Sequence, residues 1–285
     1  MQDAKLAAKA HDTHTTEIAL TPTVSAGGTD LLIVGGPCSV ESLEQMTAVA
    51  THLAQAPVQA LRGGVYKPRT SPYDFQGMGT EGLEILDRVR QRHQIPVITE
   101  VMAIAQINEV SAHADVLQVG SRNMQNFDLL KALGSAHKPV VLKRGLSATV
   151  QEFVMAAEYI MVHGNQNVIL CERGIRSFDT HTRNVLDLGA VVSLKQITHL
   201  PVIVDPSHAT GKRELVPALA RAAIAAGADG VMVECHPDPD ASVSDARQTL
   251  SLAAMVELVD SLRSIATAVG RNIPLGRLSP EPALV

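Results

Sequence analysis

The chain has no tryptophan and only three tyrosines and four phenylalanines among 285 residues, so its core must be aliphatic. It has only three cysteines, Cys38, Cys171 and Cys235. That number is too small and too odd for a disulfide framework, and it suits buried thiols or a metal ligand. There is no long basic run, and 24 Lys and Arg against 29 Asp and Glu leave a formal charge of −5. Electrostatic binding to nucleic acid or to a membrane surface is therefore not expected, and small-molecule partners move up. The longest apolar stretches, such as Leu31 to Gly36 and Ala222 to Ala226, fall far short of the roughly 20 residues that span a bilayer. The first thirty residues lack the apolar core of a secretory signal, so a cytoplasmic protein is expected. What is present is a globular composition, 46% hydrophobic and 19% charged.

Short β-branched runs alternate with helix-length segments along the whole chain. Eight runs read as strands: Leu31–Gly36, Val58–Gly63, Pro96–Val101, Val116–Ser121, Pro139–Gly145, Asn167–Gly174, Pro201–Asp205 and Gly230–His236. Each is nearly continuously apolar, as parallel strands covered on both faces must be. Between and after them lie eight amphipathic segments: Ser42–Gln55, Thr80–Gln94, Ile104–Ala112, Met124–Leu133, Ser147–His163, Asp187–Ile197, Arg213–Ala226 and Val243–Ala268. Ser147 and Thr80 are candidate N-caps, and Gly134, Gly164 and Gly227 stand where helices should end.

Eight β/α units in about 250 residues, with no Gly-rich nucleotide turn, fit a closed (β/α)8 TIM barrel better than an open doubly wound sheet. The reading is one barrel domain over residues 29–271, a short N-terminal arm or hairpin over 1–28 and an extended C-terminal tail over 272–285. Such barrels place their chemistry at the C-terminal ends of the strands. Those ends are richly charged. Arg62, Lys67, Arg69, Arg122, Lys143, Arg144 and Arg173 gather near them although the whole chain is net negative. Arginine offers a planar fork matched to phosphate and carboxylate, so this rim suits a ligand carrying both groups.

Cys38, His208, Glu234 and Asp245 form a second candidate set. Together they offer soft, borderline and hard donors, which suit Mn²⁺, Fe²⁺, Co²⁺ or Zn²⁺ better than Mg²⁺ or Ca²⁺. Their distance in sequence leaves open that Cys38 is a buried hydrophobe and His208 a hydrogen-bonded loop histidine.

Six segments carry a family resemblance. They are Gly36-Pro37-Cys38-Ser39, the run from Arg62 through Lys67-Pro68-Arg69-Thr70 to Pro72, Gly120-Ser121-Arg122-Asn123-Met124-Gln125-Asn126, Leu142-Lys143-Arg144-Gly145, Cys171-Glu172-Arg173-Gly174-Ile175-Arg176 and Asp205-Pro206-Ser207-His208. Together they resemble the short type I 3-deoxy-D-arabino-heptulosonate 7-phosphate (DAHP) synthases, a family related to the 3-deoxy-D-manno-octulosonate 8-phosphate (KDO8P) synthases. The resemblance runs in order from about Leu31 to Ala268. It implies metal-dependent condensation of phosphoenolpyruvate with erythrose 4-phosphate, the first step of the shikimate pathway of aromatic amino acid biosynthesis.

By the same resemblance, Arg62, Lys67, Ser121, Arg122, Lys143, Arg173 and His208 would hold phosphoenolpyruvate, its phosphate mainly on Arg122 and Arg173. Arg69 and Thr70 would hold the aldose phosphate. Cys38, His208, Glu234 and Asp245 would hold the divalent ion, Mn²⁺ before Co²⁺, Fe²⁺ or Zn²⁺. Lys67 and His208 would be the catalytic side chains, with Lys67 either a proton donor to the new alkoxide or an anion clamp. A homo-oligomer, dimer or tetramer, is implied, and feedback control would come from a regulatory partner protein or a site on the barrel surface.

Lys67-Pro68-Arg69-Thr70 resembles the DAHP synthase loop, whereas KDO8P synthases, which use arabinose 5-phosphate, typically carry a Lys-Ala-Asn-Arg-Ser-type loop. A catalytically inactive anion-binding barrel and a Schiff-base aldolase using Lys143 are further alternatives. Outside the pattern, His236 shares a strand face with Glu234 and could be a support group, a substrate contact or a loop histidine. Cys171 and Cys235 read as core thiols, and His11 and His14 as parts of a mobile polar arm.

Overall fold

The computed structural model describes residues 3–68 and 71–274. An antiparallel hairpin, β1 (Ile18–Thr21) and β2 (Val24–Ala26), precedes eight parallel strands. These are β3 (Leu32–Gly36), β4 (Ala60–Arg62), β5 (Val97–Glu100), β6 (Val116–Val119), β7 (Val140–Lys143), β8 (Val168–Glu172), β9 (Val202–Val204) and β10 (Gly230–His236). Each pairs with the next, and β10 pairs back on β3 from Gly230–Leu32 to Glu234–Gly36, which closes the barrel. A two-residue strand, β11 (Leu250–Ser251), pairs in parallel with the end of β10. The helices are α1 (Leu43–Ala54), α2 (Thr80–His93), α3 (Ile107–His113), α4 (Phe127–Gly134), α5 (Val150–Val162), α6 (Leu188–Ile197), α7 (Pro206–Thr210), α8 (Val216–Ala225) and α9 (Leu252–Ala268). Every run expected to be a strand contains one. Among the described residues, no helix is long and apolar enough to cross a membrane.

The period of two along each strand explains why the same sequence builds both an apolar core and a polar mouth. Ala60, Ile98, Val116, Val141, Cys171, Ile203 and Met232 belong to one buried apolar cluster inside the barrel. Two residues further along each of these strands come Arg62, Glu100, Gln118, Lys143, Arg173, Asp205 and Glu234. On β3 the same step leads from Val34 to Gly36. There φ is +145°, and a Cβ would lie 2.2 Å from the carbonyl oxygen of Arg62, so glycine is required. The hairpin seals the other end, because Ile18, Leu20, Val24 and Ala26 join the interior cluster.

Several local expectations are corrected. Helix α5 is capped by Thr149, not Ser147. Thr149 forms a capping box with Glu152, worth about 1 kcal/mol. Thr80 is the first residue of α2 rather than its cap, and Gly79 before it supplies no side-chain bond. The segment expected to be helical from Val243 begins its helix only at Leu252. Before that it turns through Asp245, which sits at φ 55°, and a short 3-10 turn over Ala246–Gln248. Gly134 closes α4 from within, and a Cβ there would meet that of His163 at 2.3 Å.

The N-terminal segment is docked rather than free. The backbone N–H groups of Lys5, Leu6 and Ala7 donate to the Glu158 carboxylate at 2.8–3.0 Å. His14 stacks on His199 with ring centroids 4.2 Å apart. At the other end, Asn272 bonds the backbone of Thr29 and Leu31. The remainder of the expected tail, 275–285, lies outside the described residues.

Candidate active site

The strand-end side chains converge on a cavity of about 380 Å³ at the barrel mouth. Arg62, Lys67, Arg122, Lys143, Arg173, Arg176 and Arg183 line it, against Asp74, Glu100 and Asp245 as the only acids among the lining residues. Several polar atoms there are buried without a partner: Arg62 Nε, Ser121 Oγ and Arg173 NH1. Buried donors normally find acceptors, so these atoms are available to oxygens of a ligand or of water. Burial lowers the Arg173 guanidinium below its usual range, which an anion beside it would oppose.

One wall of the cavity carries the four donors expected from the sequence. One ligand atom from each of Cys38, His208, Glu234 and Asp245 lies within 4.8 Å of the others. Cys38 Sγ is 3.1 Å from Asp245 Oδ2. His208 Nε2 is 3.2 Å from Glu234 Oε1 and 3.9 Å from Asp245 Oδ2. The elements explain the convergence: Cys38 follows β3, His208 rides the short α7 after β9, Glu234 is on β10, and Asp245 is on the loop after it. Asp245 adopts the left-handed backbone region, unusual for a non-glycine residue and a form of local strain that concentrates at functional sites.

The surroundings set the chemistry of these donors. The backbone N–H of His208 donates to Asp205 Oδ1 at 2.9 Å, and its Nδ1 lies 2.7 Å from Asp205 Oδ2. A carboxylate at Nδ1 selects the tautomer with Nδ1–H and turns the Nε2 lone pair toward Glu234 and Asp245. Burial pulls the His208 pKa below its ordinary value although Asp205 and Glu234 oppose this, which favours the neutral ring. Burial alone would raise the Glu234 carboxyl, but His208 and Arg62 outweigh it and hold it below the usual range. The Cys38 thiol is pushed up to about 12 by burial and by Glu234. A cation at its sulfur would reverse that shift.

Lys67 Nζ bridges the two halves of the site, donating to the Cys38 carbonyl oxygen and reaching Cys38 Sγ, both at 2.9 Å. Lys143 pairs with Asp205, and Arg62 NH1 pairs with Glu234 Oε1 at 2.5 Å. Ser121 and Arg122 face the cavity from the turn after β6. Arg69 and Thr70 lie outside the described residues. Arg144 points away, into Glu172 at 2.8 Å and Asp187 at 3.0 Å, so it is a structural cation. His236 is not among the cavity-lining residues. Its Nδ1 accepts the N–H of Asp238 at 3.0 Å, and its Nε2 is 3.5 Å from Glu41. Cys171 and Cys235 are fully buried in apolar surroundings.

Sequence reading missed four contributors: Asp205 behind His208, Gln248 behind Glu234, and Arg176 and Arg183 on the cavity wall. Asp205 had a visible signal, since it is the strand-end residue three before His208. Arg183 had none, because it lies in the long loop between β8 and α6.

Residues 9–269 match the model of the DAHP synthetase I family. A phospho-2-dehydro-3-deoxyheptonate aldolase from Thermotoga maritima is 47% identical over 250 residues, 88% of this chain and 74% of that protein. A 2-dehydro-3-deoxyphosphooctonate aldolase from Xanthomonas axonopodis pv. citri is 32% identical over 85% of this chain and 93% of its own length. The crystal structure of a Thermotoga maritima DAHP synthase superposes with a TM-score of 0.92 at 43% identity, covering 96% of this chain and 80% of that one. A truncated form of a DAHP synthase from the same organism gives 0.88 at 42% identity, covering 94% and 98%. A family match over nearly the whole barrel, joined to that level of identity, makes the chain a member of the DAHP synthetase I family.

Proposed function

We propose that the chain is a DAHP synthase, condensing phosphoenolpyruvate with erythrose 4-phosphate and water to give DAHP and phosphate, the first step of the shikimate pathway. The observation that carries the reading is the juxtaposition of a cation-lined cavity with a four-donor cluster on one of its walls. The identity to the Thermotoga enzyme exceeds that to the octulosonate relative, 47% against 32%, and favours erythrose 4-phosphate as acceptor.

The donor set fits a divalent transition ion. It supplies one thiol, one imidazole with its lone pair directed inward, and two carboxylates, a mixture that suits Mn²⁺, Co²⁺, Fe²⁺ or Zn²⁺. Mn²⁺ is our first choice, held by Cys38, His208, Glu234 and Asp245. When bound, the ion supplies Lewis acidity and a template for the aldehyde. Arg62, Lys143 and Arg173 on the cavity floor hold the carboxylate and phosphate of phosphoenolpyruvate. Arg122 and Ser121 close over the phosphate from the rim. Arg69 and Thr70 hold the aldose phosphate, an assignment resting on the sequence resemblance.

C3 of phosphoenolpyruvate attacks the aldehyde carbon, and water adds at C2. Lys67 Nζ, beside Cys38, donates a proton to the new alkoxide. Phosphate then leaves with C–O cleavage, its developing charge stabilised by Arg122 and Arg173. His208 serves both parts of the site, as a donor on the metal wall and as a residue lining the anion cavity. Cytoplasmic location and assembly as a dimer or tetramer, with control by a regulatory partner protein, belong to the same proposal.

The test is phosphate release by the purified protein with phosphoenolpyruvate and either aldose phosphate. Turnover with erythrose 4-phosphate and little with arabinose 5-phosphate is expected. The reverse preference would move the chain to the KDO8P reaction, and no turnover with either would leave an anion-binding barrel.

A further inference from the structure

Gln248 stands outside the four-donor cluster, yet it is only 2% exposed and belongs to the same turn as Asp245. Its backbone N–H donates to the Asp245 carbonyl oxygen at 3.1 Å. Its side-chain Nε2 donates to Glu234 Oε2 at 2.6 Å. Its Oε1 accepts from Arg183 NH1 at 3.2 Å, and the same NH1 donates to Asp245 Oδ1 at 3.1 Å. An ionised carboxylate only accepts and a guanidinium only donates, so a single orientation of the Gln248 amide satisfies both neighbours.

Gln248 and Arg183 thus form an arc behind the cluster. The arc occupies the outward oxygens, Glu234 Oε2 and Asp245 Oδ1. It leaves Asp245 Oδ2 facing Cys38 Sγ at 3.1 Å and Glu234 Oε1, which also accepts from Arg62 NH1 at 2.5 Å, facing His208 Nε2 at 3.2 Å.

We infer that Gln248 is a positioning residue for the metal centre: with Arg183 it fixes which oxygen of Glu234 and of Asp245 is presented to the ion. The inference rests on the metal reading proposed above. Hydrogen-bond partners behind metal ligands orient them, and their loss typically weakens metal binding by about 10–100-fold. Gln248→Met keeps the length and bulk of the side chain while removing both amide bonds. Arg183→Met acts on the arc from a residue whose side chain is 44% exposed, where the fold tolerates change.

The experiment measures Mn²⁺ dissociation constants by competition with a chromophoric chelator on the full chain, for wild type, Gln248→Met, Arg183→Met and Cys38→Ser. The thermal midpoints of the metal-free forms and the visible spectra of the Co²⁺ forms are recorded alongside. Gln248→Met is expected to weaken Mn²⁺ by about 10–100-fold and to alter the Co²⁺ ligand-field bands, whatever the loss in the metal-free midpoint. Arg183→Met is expected to weaken Mn²⁺ in the same direction. A packing role alone would lower the metal-free midpoint and leave the spectrum unchanged. Wild-type affinity in Gln248→Met, or in Arg183→Met should the first variant not fold, overturns the inference while Cys38→Ser still shows weakened binding. If the wild type takes up no Mn²⁺, or Cys38→Ser binds as tightly as the wild type, the four-donor reading falls and this inference with it.

Discussion

Replacing Asp205 by Asn separates the electrostatics of the site from its shape. Asp205 is fully buried and holds two groups, the Lys143 ammonium and the His208 imidazole. Burial alone would raise its pKa, but His208 and Lys143 hold it well below the ordinary aspartate value. Asparagine fills the same space with no charge, leaving Lys143 without its counter-ion in a cavity that Arg62 and Arg173 also line. Breaking a buried pair by removing one partner costs about 3–5 kcal/mol. For a domain of this size each kcal/mol lowers the melting midpoint by about 2–4 °C, so a drop of about 6–20 °C is expected at neutral pH.

A depressed folded-state pKa contributes stability that is complete above the unfolded value and lost as pH falls through the folded one. The gap between wild type and Asp205→Asn should therefore hold from neutral pH down to about pH 5 and narrow below about pH 4. Because Lys143 lines the anion cavity, saturating phosphoenolpyruvate should recover more of the midpoint in the variant than in the wild type. Calorimetry across pH, with and without phosphoenolpyruvate, reads all three effects. A neutral-pH midpoint within about 2 °C of wild type would show that the pair carries no net stabilisation and refute the reasoning.

Three further outcomes are expected. Cys38→Ser should lose metal affinity and turnover, whereas Cys171→Ser, inside the apolar barrel, should keep both; metal analysis and kinetics on the two variants check this. Arg173→Ala should raise KM for phosphoenolpyruvate far more than for the aldose phosphate and Arg69→Ala the reverse, each by roughly tenfold to a hundredfold for about 1.5–3 kcal/mol of lost charge-assisted binding, as steady-state kinetics will read. Glu158→Ala removes the acceptor of three N-terminal amides and should cost about 1.5–3 kcal/mol in denaturant unfolding while both KM values stay unchanged.

The barrel was legible because parallel strands covered on both faces must be written as continuous β-branched runs, and the charged ends of nearly all the runs marked the mouth. The two-residue step from Val141 to Lys143 or from Met232 to Glu234 carries both messages in three letters. What could not be read locally was whatever depends on long loops. Val243 to Ser251 has enough apolar spacing to pass as the first turns of a helix, yet Asp245 must reach Cys38, 207 residues earlier, and the backbone turns through a left-handed position to do so. Gln248 and Arg183 meet across 65 residues, and no periodicity encodes that contact. The N-cap at Thr149 was available in the sequence, since Thr149 has Glu152 at the third following position and Ser147 has no such partner.

Activity as a function of bound metal tests the central claim most directly. Protein stripped with EDTA and assayed with phosphoenolpyruvate and erythrose 4-phosphate should be inactive. Adding Mn²⁺ or Co²⁺ should restore turnover in proportion to metal bound, saturating near one ion per chain, and should do so better than Mg²⁺ because the set contains a thiol and an imidazole. Full turnover by the metal-free protein would contradict the account.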